Sequence, residues 1–504
     1  MERPVPQLSA AHTPVDQLNA DAIVVGIHSG PKGSDQVLLG PGAGPIDTAL
    51  NGQLTKTLRA LGATGSVGEV TKLATLGATT APIVAAVGLG PAEEKPLAET
   101  MRRAAGSALR ALAGADKVGI ALASEEESWI RPVLEGAALG CYDFTEFKSD
   151  LPATYRAPVG EIILLASGDN ANELNRVDIL TQAVAHTRNW INTPANHLRP
   201  PQFADQAREL AHQHGLTVEV LDEAALLEHG YGGILAVGQG STAAPRLVRI
   251  AYQPENPRTS IALVGKGITF DTGGISIKPA QGMQDMKTDM SGAASVIATM
   301  LAISDLRPQV AVTAYVPMAE NMPSGSAYRP GDVITMYGGR KIEILNTDAE
   351  GRIVLGDAIT RACEDEPEYL IETSTLTGGQ ITALGHRVSG VMGTPELCER
   401  IKDAGSRTGE AMWPMPLPDD VKSGMESAIA DFSQINAGWD RAGHMLQGGV
   451  YLGECVAEGV KWAHIDIAGP SNNTASAYGY TPKGGTGVPV RTLVELIEDI
   501  AAAG

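Results

Sequence analysis

Short apolar runs alternate with amphipathic helical patterns along this chain, and that alternation limits its fold more than any other feature. In the first part, strands are predicted at residues 22–27, 82–89, 118–123 and 161–166, and helices at 97–113 and 129–139. In the second part, the clearest strands are 261–265, 310–316 and 341–345, and the clearest helices are 293–302 and 353–363. Strands that alternate with helices are typical of an α/β fold.

A chain of 504 residues is too long for one ordinary core, so at least two domains are expected. We predict a smaller N-terminal α/β domain over residues 1–168, a linker helix at 169–188, and a larger C-terminal α/β domain with a mixed sheet over 189–504. The string Asn192-Thr-Pro-Ala-Asn196 punctuates the chain where the second pattern begins.

The charge balance and the cysteine content limit the cellular compartment and the classes of binding partner that are expected. Lys and Arg number 38 against 58 Asp and Glu, and the formal net charge of −20 makes nucleic acid an unfavourable partner. The 4 cysteines form no CxxC pair, which indicates a reducing compartment. The N-terminus lacks a signal-peptide pattern, and no apolar run approaches the ~18 residues of a membrane span. We therefore expect a soluble cytoplasmic protein without a membrane partner.

Three segments of the second part place charged residues directly after apolar runs or before helices. These residues are Lys266, Asp271 and Lys278 in residues 261–278, Asp289 in 286–294, and Asp348, Glu350 and Arg352 in 345–353. In open α/β sheets, ligand sites lie at the carboxyl ends of the strands. The three segments are therefore expected to converge on one crevice.

Carboxylates and lysines in one crevice cannot all stay charged and unpaired, and divalent metals resolve that conflict. Oxygen ligands suit Mn²⁺, Mg²⁺ or Zn²⁺, and shared carboxylates can bridge two ions about 3.5–4 Å apart. Arg352, at a helix start, is suited to hold an anion. Taken singly, each residue has an ordinary structural explanation, such as a helix cap, an Asx-turn or a surface charge. Their occurrence together at three strand ends favours a site.

Two strings in these segments closely resemble the cytosolic leucine aminopeptidase family. They are Val264-Gly-Lys-Gly-Ile-Thr-Phe-Asp-Thr-Gly-Gly-Ile-Ser-Ile-Lys-Pro279 and the family signature Asn346-Thr-Asp-Ala-Glu-Gly-Arg352. Arg329-Pro-Gly-Asp332 and Thr375-Leu-Thr-Gly378 support the match. The resemblance covers roughly residues 130–490 and implies that residues 189–504 form a catalytic domain.

The resemblance implies a dinuclear metal centre and a role for each charged residue. The tighter ion would be held by Lys266, Asp271, Asp289 and Glu350, and the looser one by Asp271, Asp348 and Glu350. Lys278 would stabilise the oxyanion of the tetrahedral intermediate. Arg352 would hold a bicarbonate ion that serves as general base for the attacking metal-bridging hydroxide.

The resemblance also implies the substrate. One metal would bind the free α-amine of a peptide, so only N-terminal residues would be released. Met286, Thr375 and Gly378 would help to line the pocket for the first side chain, and a pocket with methionine and without an acid favours leucine and methionine. Two departures from the family pattern, Ser291 for a common glycine and Glu372 for a usual aspartate, leave the fine specificity open.

The family is hexameric, and a homohexamer is therefore expected. An alternative function is DNA binding, because some bacterial members of the family are accessory or regulatory DNA-binding factors. The net charge of −20 weighs against it, and Arg102, Arg103 and Arg110 give the only basic helix, which is more simply a solvated face. A two-metal phosphatase would use similar ligands, but it does not account for a lysine ligand.

Overall fold

The computed structural model describes residues 5–31, 34, 36–92, 97–124, 126–440 and 442–503. The chain divides into two compact units, Met1–Ala185 with Thr474–Lys483, and His186–Asn473 with Gly484–Gly504. The division falls within a 22-residue helix, Ala171–Asn192. We retain as a proposal the domain bounds predicted from the sequence, which are 1–168, 169–188 and 189–504.

The first unit is a seven-stranded sheet with helices on both faces. Its strands are β1 (Gln7–Ala11), β2 (Ala22–Ser29), β3 (Val37–Leu39), β4 (Val70–Ala74), β5 (Ile83–Pro91), β6 (Lys117–Ile120) and β7 (Glu161–Leu165). Its helices are α1 (Ala43–Ala49), α2 (Leu54–Ala60), α3 (Ala98–Ala111), α4 (Ile130–Gly140) and the first part of α5 (Ala171–Asn192). The strand order is β1-β7-β6-β2-β5-β4, with β3 beside β2. The strands and helices predicted for this part are confirmed.

Alternation along β2 builds two cores in this unit. Ala22 and Val24 pack with α3 and α4 on one face of the sheet. Ile23, Val25 and Ile27 pack with α1 and α2 on the other face. Successive side chains of a strand point to opposite faces, so one wholly apolar strand serves both layers.

The arginines of α3 form only part of the expected solvated face, because Arg103 is exposed, Arg110 is half-buried and Arg102 is buried. Arg102 is only 2% exposed. Its guanidinium lies 2.6 Å from Glu99 and 2.8 Å from Glu135. Arg103 also pairs with Glu99, at 2.7 Å, and Arg110 donates to the carbonyl of Gly479 at 2.8 Å. Arg102 and Arg110 therefore join the helix to its neighbours, whereas Arg103 pairs within its own helix at the surface.

The second unit is built on a nine-stranded mixed sheet with smaller sheets beside it. Its strands are β8 (Thr217–Leu221), β9 (Arg246–Tyr252), β10 (Ser260–Gly265), β11 (Gly267–Asp271), β12 (Ala311–Asn321), β13 (Val333–Thr335), β14 (Lys341–Glu343), β15 (Tyr369–Ser374), β16 (Ser389–Gly393), β17 (Met412–Pro414), β18 (Phe432–Ser433), β19 (Lys461–Asp466), β20 (Asn472–Asn473) and β21 (Gly484–Gly485). Its helices, after the end of α5, are α6 (Pro200–Gln213), α7 (Glu223–Glu228), α8 (Gly232–Gly238), α9 (Ser291–Leu306), α10 (Gly351–Cys363), α11 (Gly378–Leu384), α12 (Pro395–Thr408), α13 (Asp419–Ser423), α14 (His444–Gly453) and α15 (Val490–Ala503).

The centre of this sheet is parallel, and an antiparallel strand lies on each side of it. The order is β17-β16-β19-β15-β10-β12-β9-β8, with β11 beside β12. Strands β19, β15, β10 and β12 run parallel, whereas β16 and β9 pair antiparallel to their inner neighbours. The predicted fold class, α/β with a smaller first domain and a larger second domain on a mixed sheet, is confirmed. Across the residues that the structure describes, every helix is too short or too polar to span a bilayer.

Candidate metal centre

The end of β10 and the adjoining β11 supply the first two charged side chains. Lys266 lies between the two strands and is 2% exposed, and its backbone N–H donates to the carbonyl of Thr373 on β15. Asp271 ends β11 and is also 2% exposed. Its Oδ1 accepts from the Gly273 N–H at 2.9 Å and from Asn321 Nδ2 at 2.8 Å. Parallel pairing of the central strands therefore brings both side chains to one edge of the sheet.

The turn after β11 needs glycine at two successive positions. Gly273 and Gly274 both have positive φ, +86° and +63°. A Cβ at residue 273 would lie 2.8 Å from Asp348 Oδ1, and one at residue 274 would lie 2.7 Å from Asn321 Oδ1. These glycines let the backbone pass close beside the acidic residues.

Two helix starts supply the remaining acids. Asp289 lies two residues before α9, and Glu350 is the residue before α10. Both are buried, at 7% and 1% exposure. Asp348 lies on the same loop as Glu350, where its N–H donates to Asn346 Oδ1 at 2.9 Å. The positive ends of the two helix dipoles favour acidic side chains at these positions.

The structure brings together all five residues predicted as metal ligands, together with Lys278. Asp271, Asp348 and Glu350 each place a carboxylate oxygen within 4.8 Å of the other two. Lys266 Nζ lies 2.7 Å from Asp289 Oδ2 and 2.8 Å from Glu350 Oε1. Lys278 Nζ lies 2.8 Å from Asp271 Oδ2 and 2.5 Å from Asp348 Oδ1. These contacts link the three chain segments into one cluster.

The electrostatics of the cluster suit divalent cations. Burial raises the pKa of Asp271 and Asp289, and it raises the pKa of Asp348 to about 6. Burial opposes the charge of Lys266, but the surrounding carboxylates outweigh it and raise the pKa of this amine. Four carboxylates against two amines leave a formal charge of −2. Oxygen donors with excess negative charge are the set that hard and borderline dications prefer.

Arg352 lies in the first turn of α10 and is 1% exposed. Its NH1 donates to the carbonyl of Gln434 at 2.7 Å. Its Nε is buried and, among the described residues, has no hydrogen-bond acceptor. Burial lowers the pKa of the guanidinium to about 10. A buried cation with an unused donor is suited to an anionic group.

The three residues predicted to line the substrate pocket differ in their relation to the cluster. Thr375 contacts it directly, because its Oγ1 donates to Asp289 Oδ1 at 2.7 Å. Met286 lies on a short 3-10 helix, Met283–Thr288, and its carbonyl accepts from the Asp289 N–H at 3.3 Å. Gly378 is exposed at the start of α11, and a Cβ there would meet open space.

Sequence reasoning gave no structural role to several buried polar residues on the central strands. Asn321 is fully buried at the end of β12, and its Nδ2 joins Asp271 to the Thr347 carbonyl at 2.9 Å. Glu372, His464 and Asp466 lie on β15 and β19 with no exposed surface. The available signal was the presence of polar residues within otherwise apolar strands, which predicts buried hydrogen bonding.

Comparison with known proteins identifies the class and then the family. The model of the cytosol aminopeptidase family catalytic domain matches residues 185–494, and the model of the N-terminal domain of that family matches residues 24–151. The enzyme class is therefore a peptidase, and specifically an aminopeptidase. The chain belongs to the cytosol aminopeptidase family.

Individual relatives agree with this assignment. A protein of Rhodococcus opacus named "Probable cytosol aminopeptidase" is 50% identical over 507 residues, covering 99% of this chain and 98% of the relative. The bottromycin maturation enzyme BotP in complex with Mn is 34% identical with a TM-score of 0.84, covering 96% of this chain and 100% of that chain. A mutant of tomato leucine aminopeptidase is 29% identical with a TM-score of 0.86, covering 98% and 97%.

Proposed function

We propose that this aminopeptidase depends on two divalent metal ions, Mn²⁺ or Zn²⁺, and releases leucine and other apolar residues from peptide N-termini. The observation that carries the proposal is the approach of Asp271, Asp348 and Glu350 oxygens to within 4.8 Å of one another. Lys266 and Lys278 offset only two of the four carboxylate charges in the cluster, and divalent cations would balance the remainder. The manganese complex of the structural neighbour BotP supports Mn²⁺ as one candidate.

The proposed ligand sets follow the contacts in the cluster. The tighter ion would be held by Lys266, Asp271, Asp289 and Glu350, and the looser ion by Asp271, Asp348 and Glu350. Lys266 must lose its proton to act as a ligand, although the carboxylates now raise its pKa. Metal binding is therefore expected to release a proton.

Two residues near the proposed ions, Lys278 and Arg352, are given separate roles in the proposed reaction. When bound, the paired ions supply Lewis-acid polarisation of the scissile carbonyl and a water of lowered pKa. Lys278 lies at the rim, with 21% of its side chain exposed, and is proposed to donate to the developing oxyanion. Arg352, with its unused Nε, is proposed to bind bicarbonate, the proposed general base.

The proposed ions and the lining of the cluster support the proposed substrate. One ion would bind the free α-amine of a peptide, and a blocked N-terminus offers no such amine. Met286, Thr375 and Gly378 carry no charge, so they favour an apolar first side chain over lysine or arginine.

The same proposal includes a homohexamer in the cytoplasm, which the family resemblance implies. The relatives' names, which refer to the cytosol, support the location. Size-exclusion chromatography with light scattering should give the mass of six chains. The mass of a single chain in that experiment would contradict the proposed hexamer but not the proposed reaction.

The function is tested by hydrolysis of a leucyl amide after the metal has been stripped and Mn²⁺ or Zn²⁺ added back. We expect activity to return with metal and to vanish when the substrate is N-acetylated. A lysyl amide should be cleaved more slowly than the leucyl amide. Hydrolysis by the stripped protein, or equal hydrolysis of the acetylated amide, would contradict the proposal.

A further inference from the structure

Three buried ionisable side chains lie in a row on the central strands β15 and β19. Glu372, His464 and Asp466 are each 0% exposed. Glu372 pairs with His464 in the register of the two strands, and its Oε2 contacts His464 Nδ1. His464 Nε2 lies 3.9 Å from Asp466 Oδ2. Buried charges are unfavourable unless they are paired. Packing of an apolar core therefore does not by itself explain three ionisable side chains in a row.

The imidazole supports Asp466 electrostatically. Burial opposes a charged His464, but the Glu372 carboxylate outweighs it and raises the pKa of the ring. Burial raises the pKa of Asp466, and the adjacent His464 acts in the opposite direction. The Glu372–His464 pair therefore favours an ionised carboxylate at residue 466.

Asp466 uses both oxygens to hold the turn that joins β15 to α11. We call residues 375–378 the elbow. Asp466 Oδ1 accepts from the Leu376 N–H at 3.2 Å, and Oδ2 accepts from Thr377 Oγ1 at 2.7 Å. Thr377 Oγ1 also accepts from the Gln380 N–H at 3.1 Å and so caps α11. One buried carboxylate thus fixes both the backbone and the helix cap of the elbow.

The elbow in turn contacts two of the candidate metal ligands. Thr375 Oγ1 donates to Asp289 Oδ1 at 2.7 Å. The Thr375 carbonyl lies 3.4 Å from Lys266 Nζ and accepts from it. Among the described residues, hydrogen bonds therefore connect Asp466 through the elbow to Asp289 and Lys266.

We propose that Asp466 is a positioning residue that orients Asp289 and Lys266 through the elbow, and so sets the affinity of the tighter metal position. The inference rests on the proposed function, since it requires the metal centre. Asp289 and Lys266 belong to the tighter ion alone, whereas Asp348 belongs to the looser one. Loss of Asp466 should therefore weaken one metal-binding step and leave the other unchanged.

The test is a Mn²⁺ titration of the full chain, read by calorimetry or by electron paramagnetic resonance of free Mn²⁺. Asp466→Asn should weaken the tighter step by about 10- to 100-fold, as expected when a residue that orients a ligand is lost. Thr375→Val should weaken the same step. The double variant should be no weaker than the worse single variant, because both changes break the same connection.

Asp357→Asn is a matched control. Asp357 is also 0% exposed, and its carboxylate accepts from the Ile234 and Tyr337 N–H groups at 2.9 and 2.8 Å. It has no contact with the elbow among the described residues, so both Mn²⁺ steps should keep their wild-type affinities. Should Asp466→Asn fail to fold, Thr377→Val removes the bond to Oδ2 and the side-chain cap of α11 but keeps the Leu376 N–H bond to Oδ1, and the tighter step should still weaken.

Several outcomes would overturn the inference. They are unchanged Mn²⁺ steps in folded Asp466→Asn or in Thr377→Val, equal weakening of both steps, a similar shift in Asp357→Asn, or additive effects in the double variant. Failure of the proposed function is distinguishable, because the wild-type chain itself would then bind no pair of Mn²⁺ ions and hydrolyse no leucyl amide.

Discussion

The glycine between Glu350 and Arg352 offers the smallest change that should disable the centre. A Cβ at Gly351 would lie 2.5 Å from Lys266 Cε and 2.7 Å from its Nζ. Ordinary carbon contacts are about 3.5–4.0 Å, so one of the two groups must move by about 1 Å. Lys266 has little room to move, since its side chain is 3% exposed and its Nζ is held 2.7 Å from Asp289.

The expected loss can be worked from that displacement. A misplacement of about 1 Å in a catalytic constellation reduces the rate by about 100-fold. Gly351 is the first residue of α10 and does not have a positive φ, so alanine introduces no backbone strain there. Gly351→Ala should therefore lose at least about 100-fold in leucyl-amide hydrolysis while its melting temperature changes little.

Gly356→Ala on the same helix is the control. Its Cβ would lie 3.1 Å from the Met336 methyl and 3.3 Å from the Cys455 Sγ, which are side-chain ends, and at an ordinary contact distance of 3.6 Å from Tyr451 Cε1. This variant should keep activity within a few-fold of wild type. Full activity in Gly351→Ala, or equal losses in the two variants, would refute the argument that Lys266 is held in the working centre.

Three further predictions concern charge. Lys278→Met should lower kcat by about 100-fold or more while Mn²⁺ binding is retained, and unchanged kcat would exclude its oxyanion role. Mn²⁺ affinity should fall as pH drops through about 6, because burial raises the pKa of Asp348 to about 6 and a ligand must be ionised; a titration series from pH 5 to 8 checks this. Burial alone would raise the pKa of Asp365. Hydrogen bonds, including those from Arg361 and Arg249, outweigh this effect and lower the pKa to about 2. Its contribution to folding stability, about 1–2 kcal/mol after discounting for solvent, is thus present above pH 4 and lost towards pH 2. Urea midpoints of Asp365→Asn should be lower than wild type at pH 7 and converge only as the pH approaches 2, and a constant difference would contradict the assignment.

Much of the centre could be predicted because its residues follow apolar runs in the sequence. Asp271 ends a buried strand, and Glu350 directly precedes a helix whose apolar period is clear, so the local pattern alone places each position at a sheet edge. Convergence then follows from the parallel order of β10, β12 and β15.

The supporting residues could not be predicted because their partners are distant in sequence. Asn321 lies 50 residues from Asp271, and Asp466 lies 90 residues from Leu376. Only the sheet register makes them neighbours. The strand predicted at 310–316 is in fact Ala311–Asn321, with every residue buried, because both faces of its polar end are covered. The return of Thr474–Lys483 to the first unit also has no local signal.

The central claim is that the strand-end cluster is a dinuclear metal centre that performs the aminopeptidase reaction. The most direct test measures bound Mn²⁺ per chain, by mass spectrometry after dialysis, together with leucyl-amide hydrolysis on the same samples. Wild type should hold two ions and be active, whereas the Asp271→Asn and Glu350→Gln double variant should hold fewer than one and be inactive with its fold intact. Two bound ions and full activity in that variant would contradict the account.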